Sequence, residues 1–341
     1  MRKILFTALA VVALVGAACG NDDNNDKTAK GPSGAQSYAV DIDAAASPQF
    51  QIGAYFPGAI TVRPGDTLVF TNKSKAHPHT VTLGIKADQS NRPPIITPQG
   101  VENPAAFGPC FTDTEPSTTF TACPTPPNPA APPAFAGKGY WNSGLLATAA
   151  GPTVPSSTTV KLADSIAPGD YTFLCMLHPF MVGSLKVAAK DTDRLAPATV
   201  KANAERDAAA AVTATASLTP PAPSGNVSAG WGDRITAVMA YDPATISVKA
   251  GDTVTWKTAS PYEPHTITFQ SPFKTPSDKG ATSPAGVKSG GTYTSGFTSS
   301  GLIGPAPFFP GNTFSLKFAK AGTYNYVCAI HPGMAGVVTV T

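Results

Sequence analysis

Residues 169–181 read Gly-Asp-Tyr-Thr-Phe-Leu-Cys-Met-Leu-His-Pro-Phe-Met, and residues 322–334 read Gly-Thr-Tyr-Asn-Tyr-Val-Cys-Ala-Ile-His-Pro-Gly-Met. Both stretches alternate with the two-residue period of a β-strand, so Tyr171, Phe173 and Cys175 share one face and the cysteine ends a strand pointing inward. A tight turn after the cysteine can then return a histidine and a methionine to its side. The pattern occurs twice, so each copy is a check on the other.

The duplication extends upstream. Ala59-Ile-Thr-Val-Arg-Pro-Gly-Asp-Thr-Leu-Val-Phe70 returns as Ala244-Thr-Ile-Ser-Val-Lys-Ala-Gly-Asp-Thr-Val-Thr-Trp256, two alternating strands around a Gly-Asp turn. A Pro-His-Thr-aliphatic step follows each, at Pro78 to Val81 and Pro264 to Ile267. Long Pro/Gly/Ser/Thr-rich insertions, residues 85–155 and 271–311, separate these histidines from the late strands. Asn142-Ser-Gly-Leu-Leu146 in one echoes Ser299-Ser-Gly-Leu-Ile303 in the other, so both insertions are expected to pack on their domains.

These repeats divide the 341 residues into a first domain, 38–188, and a second, 227–341. With 35 prolines, 31 glycines and only 13% charged residues, the composition favours all-β architecture over helix bundles. Between the domains, residues 189–226 read as a spacer with one short helix that opens at Pro197. Before them, residues 20–37 are polar and aperiodic and read as a flexible tether.

Arg2 and Lys3 precede the apolar run Ile4 to Ala18, which meets Cys19. The run is shorter than the roughly 20 residues that cross a bilayer, so residues 1–19 read as an export signal. Gly16-Ala17-Ala18 before Cys19 resembles the lipobox of bacterial lipoproteins, whose cysteine is lipidated; ordinary signal cleavage nearby is the alternative. The expected location is the outer face of the cell membrane, through a lipid anchor on Cys19, or else the periplasm or medium. The 24 basic and 21 acidic residues give a formal charge of +3, and without Arg2 and Lys3 it is +1. Nothing electrostatic therefore recommends nucleic acid as a partner.

The candidate site residues are His79, Cys175, His178 and Met181 in the first copy, and His265, Cys328, His331 and Met334 in the second. One thiolate, two imidazoles and a weak axial thioether form the donor set of a blue-copper electron-transfer centre. The thiolate supplies covalency, the imidazoles suit both copper oxidation states, and methionine holds the geometry between their preferences. Zinc is less suited, because methionine is a poor zinc ligand and one thiolate per site is few. Cys110 and Cys123 lie in the first insertion, and a disulfide is preferred to an additional metal site because neither has a histidine nearby. His77, with Pro78 and His79, forms a His-x-His pattern also found in multicopper oxidases, but no histidine adjoins either candidate cysteine. His77 is read as a surface rim residue.

Over most of residues 38–188 and 227–341 these motifs resemble the cupredoxin family, the plastocyanin, azurin and amicyanin group. His178-Pro-Phe-Met181 is similar to the amicyanin loop almost residue for residue. The resemblance implies two Greek-key β-sandwich or barrel domains in tandem and two type 1 copper ions per chain. It assigns His79, Cys175 and His178, and His265, Cys328 and His331, as equatorial ligands, with Met181 and Met334 axial. Plastocyanin-like members place Asn after the first histidine; here Thr80 and Thr266 stand there, where a hydroxyl can brace the ligand loop. An electron carrier rather than an enzyme is expected, with redox proteins (cytochromes, oxidases or reductases) as partners and no small-molecule substrate. Docking is expected where His178 or His331 reaches the surface, over Met176, Leu177, Pro179 and Phe180 in the first domain and Pro332 and Gly333 in the second. Phe180 against Gly333 points to unequal faces, one site accepting electrons and the other donating them. The alternatives are a two-domain copper enzyme of the nitrite reductase or oxidase kind, and copper storage or delivery.

Overall fold

The strand pair around each Gly-Asp turn forms as the alternation predicts. A computed structural model describes residues 33–44, 47–98, 102–123, 131–148, 154–221, 226–275, 278–306, 309 and 311–341. The export signal, Cys19 and most of the tether lie outside them. Gly65 takes φ +84° in the first turn, and the Asp66 carboxylate accepts the backbone N–H groups of Arg63 (2.8 Å) and Gln36 (2.7 Å). Gly251 (φ +99°) and Asp252, which accepts Lys249 N–H at 2.8 Å, repeat the device.

The first half contains β1 (Ser37–Ile42), β2 (Phe50–Ile52), β3 (Tyr55–Phe56), β4 (Ala59–Val62), β5 (Thr67–Asn72), β6 (Thr82–Leu83), β7 (Pro109–Thr112), β8 (Tyr140–Ser143), β9 (Ser157–Lys161), β10 (Gly169–Leu174) and β11 (Val182–Val187). The second contains β12 (Val227–Gly232), β13 (Thr236–Asp242), β14 (Thr245–Val248), β15 (Thr253–Thr258), β16 (Thr268–Phe269), β17 (Pro284–Ala285), β18 (Thr292–Tyr293), β19 (Thr298–Ser300), β20 (Thr313–Phe318), β21 (Gly322–Val327) and β22 (Ala335–Val340). One sheet of each half has the same order, β4-β11-β10-β6-β8-β7 and β14-β22-β21-β16-β19-β17. The facing sheets are β3-β1-β5-β9 and β18-β20-β15-β12-β13-β2. The fold is therefore all-β, two sandwiches of one topology, each closing over its own core. Tyr38, Val40, Leu68, Phe70, Phe173 and Leu185 lie in the first core; Val227, Val254, Trp256, Phe269, Tyr326 and Val338 lie in the second.

Strand β2 departs from the sequence division. It belongs to the first half but joins the second half's sheet as an edge, antiparallel to β13, with Ile52 opposite Thr236 and Phe50 opposite Val238. Ile52 packs with Phe56 and with Ala204 of α2 (Pro197–Thr215), the long helix that follows the four-residue α1 (Pro104–Phe107) of the first insertion.

That helix also corrects the reading of the linker. It runs nineteen residues instead of one short piece, and it buries Val200 and Ala204 against the strands instead of spanning solvent. Arg194, just before it, is buried in an ion pair with Asp66 (3.1 Å) and donates to Tyr38 Oη at 2.8 Å. Proline at its first turn starts α2, as expected. Among the described residues no helix is long and apolar enough to cross a membrane.

Candidate metal centres

Each candidate site is assembled from three elements. The first histidine is held by a two-way bridge to the repeated Gly-Leu-aliphatic fragment of the insertion. His79 N–H donates to Leu146 O at 3.0 Å and Leu146 N–H returns to His79 O at 2.8 Å; His265 and Ile303 do the same at 2.8 and 2.9 Å. Gly144 and Gly301 turn that fragment at φ +70° and +65°, where a Cβ would strike Pro109 or Pro284 at 2.6 Å. The echoed fragments of the insertions thus fix the two candidate ligand residues His79 and His265.

The late strand supplies the cysteine. Cys175 N–H donates to Met181 O at 3.0 Å and Met181 N–H to His178 O at 3.1 Å; Cys328, Met334 and His331 repeat this at 2.9 and 3.2 Å. The loop therefore folds back on itself and brings the histidine to the thiol. Cys175 Sγ lies 3.3 Å from His178 Nδ1, and Cys328 Sγ lies 3.4 Å from His331 Nδ1. His79, Cys175 and His178 form one fully buried group whose ligand atoms lie within 4.8 Å of one another, and His265, Cys328 and His331 form the other. Met181 and Met334 are buried in the same cores as their cysteines.

The surroundings favour a thiolate. Burial alone would raise the Cys175 thiol, but His178 and His79 together bring it well below its ordinary value; His331 and His265 do the same for Cys328. Thr80 N–H donates to Cys175 Sγ at 3.4 Å, and Thr266 N–H to Cys328 Sγ at 3.3 Å. The threonine hydroxyls brace the loops, Thr80 Oγ1 accepting Met176 N–H and Thr266 Oγ1 accepting Ala329 N–H, each at 2.7 Å. Tyr55 and Tyr241, equivalent residues, donate to the Thr80 and Thr266 carbonyls at 2.8 and 2.5 Å.

These donors fit a copper ion. His79 Nδ1 is buried with no hydrogen-bond partner among the described residues, and His331 Nδ1 and His265 Nδ1 face one another at 3.1 Å, two ring nitrogens turned to a common point beside a thiol. The two groups differ behind the first histidine. His79 Nε2 meets the buried Asp43 carboxylate at 3.3 Å, and burial, which would lower its pKa, is outweighed by Asp43 and Cys175, raising it to about 9. Pairing of β1 with β5 and of β12 with β15 makes Gly230 the counterpart of Asp43. Its backbone lies against the His265 ring so closely that a Cβ would fall 2.0 Å from Nε2, and burial lowers the His265 pKa.

The Nε2 edges of His178 and His331 do not form the open surface expected. They face each other across the seam between the halves, 7% and 4% exposed. Glu263 stands between them, with Oε1 at 3.0 Å from His331 Nε2 and Oε2 at 3.7 Å from His178 Nε2. Burial would raise its carboxyl, but the hydrogen bond from His331 and the nearby rings bring it to about 2. Gln51, from β2, places its amide 2.8 Å from His178 Nε2. His77 is buried at the same seam, its ring centroid 5.6 Å from that of His331, and burial together with His331 lowers it to about 4. It is therefore not the surface rim residue expected.

The expected docking surface changes accordingly. Met176 and Pro179 are buried, Met176 among the residues of the first insertion, and neither can present an apolar face; Phe180 and Pro332 are exposed. The Arg234 guanidinium lies 4.9 Å over the Phe180 ring. Cys110 and Cys123 form the disulfide, and Cys175 and Cys328 are free. Glu263, Gln51 and Asp43 were not singled out in the sequence. One signal was available for Glu263: Glu263-Pro-His265 repeats His77-Pro-His79, and Ser260 Oγ accepts Glu263 N–H (2.9 Å) as Ser74 Oγ accepts His77 N–H (3.0 Å).

A paired sandwich fold with a buried thiol and two imidazoles under one end of each half is the arrangement of the cupredoxin class. The family model for copper binding proteins of the plastocyanin/azurin family matches residues 230–341. Chloroplastic plastocyanin of Tetradesmus obliquus is 33% identical over 162 residues, 46% of this chain and 96% of that protein. Amicyanin of Paracoccus denitrificans is 33% identical over 106 residues, 30% of this chain and 60% of that protein. A solved structure of oxidized plastocyanin from Dryopteris crassirhizoma is 21% identical, covering 34% of this chain and 98% of that one, with a TM-score of 0.22. The chain belongs to the plastocyanin/azurin family of copper-binding proteins.

Proposed function

We propose that this protein is an exported carrier of single electrons with two mononuclear type 1 copper sites, working between extracytoplasmic redox proteins such as cytochromes, oxidases or reductases and anchored by lipid on Cys19. The observation that carries this reading is the pair of buried groups of one thiol and two imidazoles, each with its thiol held well below its ordinary range. Bound copper would supply a one-electron Cu(II)/Cu(I) couple. The protein's part is to keep the thiolate dry, to hold both rings by hydrogen bonds made before metal arrives, and so to limit rearrangement as charge changes.

Copper titration followed by visible spectroscopy tests this. Cys175→Ser and Cys328→Ser should each lose about half the thiolate-to-copper absorption of the wild type; a variant that loses none sinks the assignment for its half. The burial of His77 in the seam favours one second reading, a two-domain copper enzyme. Electron paramagnetic resonance separates the two, since the enzyme requires a normal copper signal in addition to two blue-copper ones.

A further inference from the structure

The two ligand groups are turned toward each other. In each, the later histidine gives Nδ1 to its own cysteine, 3.3 Å for His178 and 3.4 Å for His331, and so must point Nε2 outward. That edge meets the other half of the same chain. Glu263 fills the gap with one oxygen 3.0 Å from His331 Nε2 and the other 3.7 Å from His178 Nε2, and its side chain is only 8% exposed. A histidine whose Nδ1 holds a metal carries its proton on Nε2, so each ring is a donor; the carboxylate accepts from His331 and stands 3.7 Å from His178 as a nearby charge. The Gln51 amide beside His178 satisfies the same requirement when its oxygen, which otherwise lacks a partner, faces the ring.

We propose that Glu263 wires the two centres together: one electron passes between the ligand groups of the two halves through His178, the Glu263 carboxylate and His331. The proposal rests on the reading that both groups hold copper. Tunnelling decays less steeply through bonded and hydrogen-bonded atoms than across gaps, and this route consists of two rings and one carboxylate, with one hydrogen bond at His331 (3.0 Å) and one short through-space step of 3.7 Å at His178. One site is oxidised by one electron as the other is reduced; no bond forms or breaks and no proton is transferred. The first electron enters from an external one-electron donor. Asp43 sets the direction. Its buried carboxylate stands 3.3 Å from His79 in the first half, while the second half has Gly230 at that position. The extra negative charge favours the oxidised ion in the first half, so the electron comes to rest in the second.

The experiment uses the full chain loaded with two equivalents of copper. Absorption and electron paramagnetic resonance first establish that both blue-copper centres are present, and absence of either would overturn the copper reading and this proposal with it. A radiolytic pulse then delivers less than one electron per molecule, and the absorption is followed while protein concentration is varied. The wild type should show a second phase whose rate does not depend on concentration. Glu263→Leu should keep both spectra and slow that phase by about an order of magnitude, while Glu263→Gln, which keeps an acceptor for His331, should restore most of the rate. A wild type with both spectra but no such phase, or a Glu263→Leu protein that exchanges at the wild-type rate, would overturn the bridge while leaving the copper assignment standing. Should Glu263→Leu fail to fold, the wild-type measurement alone retains the power to reject.

Discussion

At the scale of single residues, the two sites share every backbone contact to sulfur and differ in charge. Asp43 ends β1 at φ +60°, a left-handed conformation that Asp and Asn tolerate better than most residues, and its carboxylate caps Ile52 N–H (3.0 Å) while facing His79. Asp43→Asn is therefore compatible with the backbone and removes only the charge. An anion beside a ligand ring stabilises the more positive ion, so the substitution should raise the reduction potential of the first site by some tens of millivolts, where about 59 mV is a tenfold change in a one-electron equilibrium. Spectroelectrochemical titration would read it, with the second site nearly unmoved. Thr80 and Thr266 make the converse point, being equivalent and neutral. Replacing either by Val keeps the shape but strips the acceptor from a backbone N–H, that of the buried Met176 or of the partly buried Ala329. Each should cost about 1–3 kcal/mol in urea unfolding; a cost near zero would mean that water replaces the hydroxyl.

Among the elements, the short ones carry the unexpected architecture. Strand β2 has three residues, and its Ile52 is fully buried although it lies on an edge, because β13 on one side and the α2 residue Ala204 on the other enclose it. Ile52→Ala should cost about 2–4 kcal/mol and speed hydrogen exchange at Thr236 to Val238; slow exchange there in the variant would show that β13 does not depend on β2. The long strands were legible in the sequence because alternation is a local signal. Tyr171, Phe173 and Cys175, or Leu68 and Phe70, announce their face without reference to any partner. The ligand residues were legible for the same reason, in a fixed spacing after a strand. Phe50-Gln-Ile52 has no period to read, since its alternation is completed by a strand almost two hundred residues away. The burial of Met176, Pro179 and His77 was hidden by the same cause: each is covered by chain from elsewhere in the sequence. The helix α2 was visible from Pro197, but its apolar side is made of alanine and one valine, too weak a stripe to show that it packs.

For the whole molecule, the seam makes two repeats into one cooperative body. Besides the β2–β13 ladder, Gly53 N–H donates to Ile235 O (2.6 Å) and Met239 N–H donates to Gln49 O (2.8 Å). The buried rings of His178 and His331 and the Glu263 carboxylate lie in the same interface, so separating the halves would expose an ion and two candidate metal ligands at once. Unfolding one half alone is correspondingly costly, and metal bound in one half should stabilise the other. This can be isolated in a Cys328→Ser, Trp141→Phe variant, which loses the second site's thiolate and keeps tryptophans only in the second half, at Trp231 and Trp256. Copper added to this variant occupies the first half, and tryptophan fluorescence reports the second. At a free copper concentration of about 100 times the dissociation constant, the linkage amounts to about 2.7 kcal/mol, and a cooperative body should show it as a rise in the midpoint of the second half's thermal transition. Ile52→Ala added to the same background should shrink that rise, because it weakens the strand that joins the two sheets. A second-half transition that ignores copper in the first would mean that the halves unfold as independent domains, with the seam serving only to place Glu263 between the two histidines.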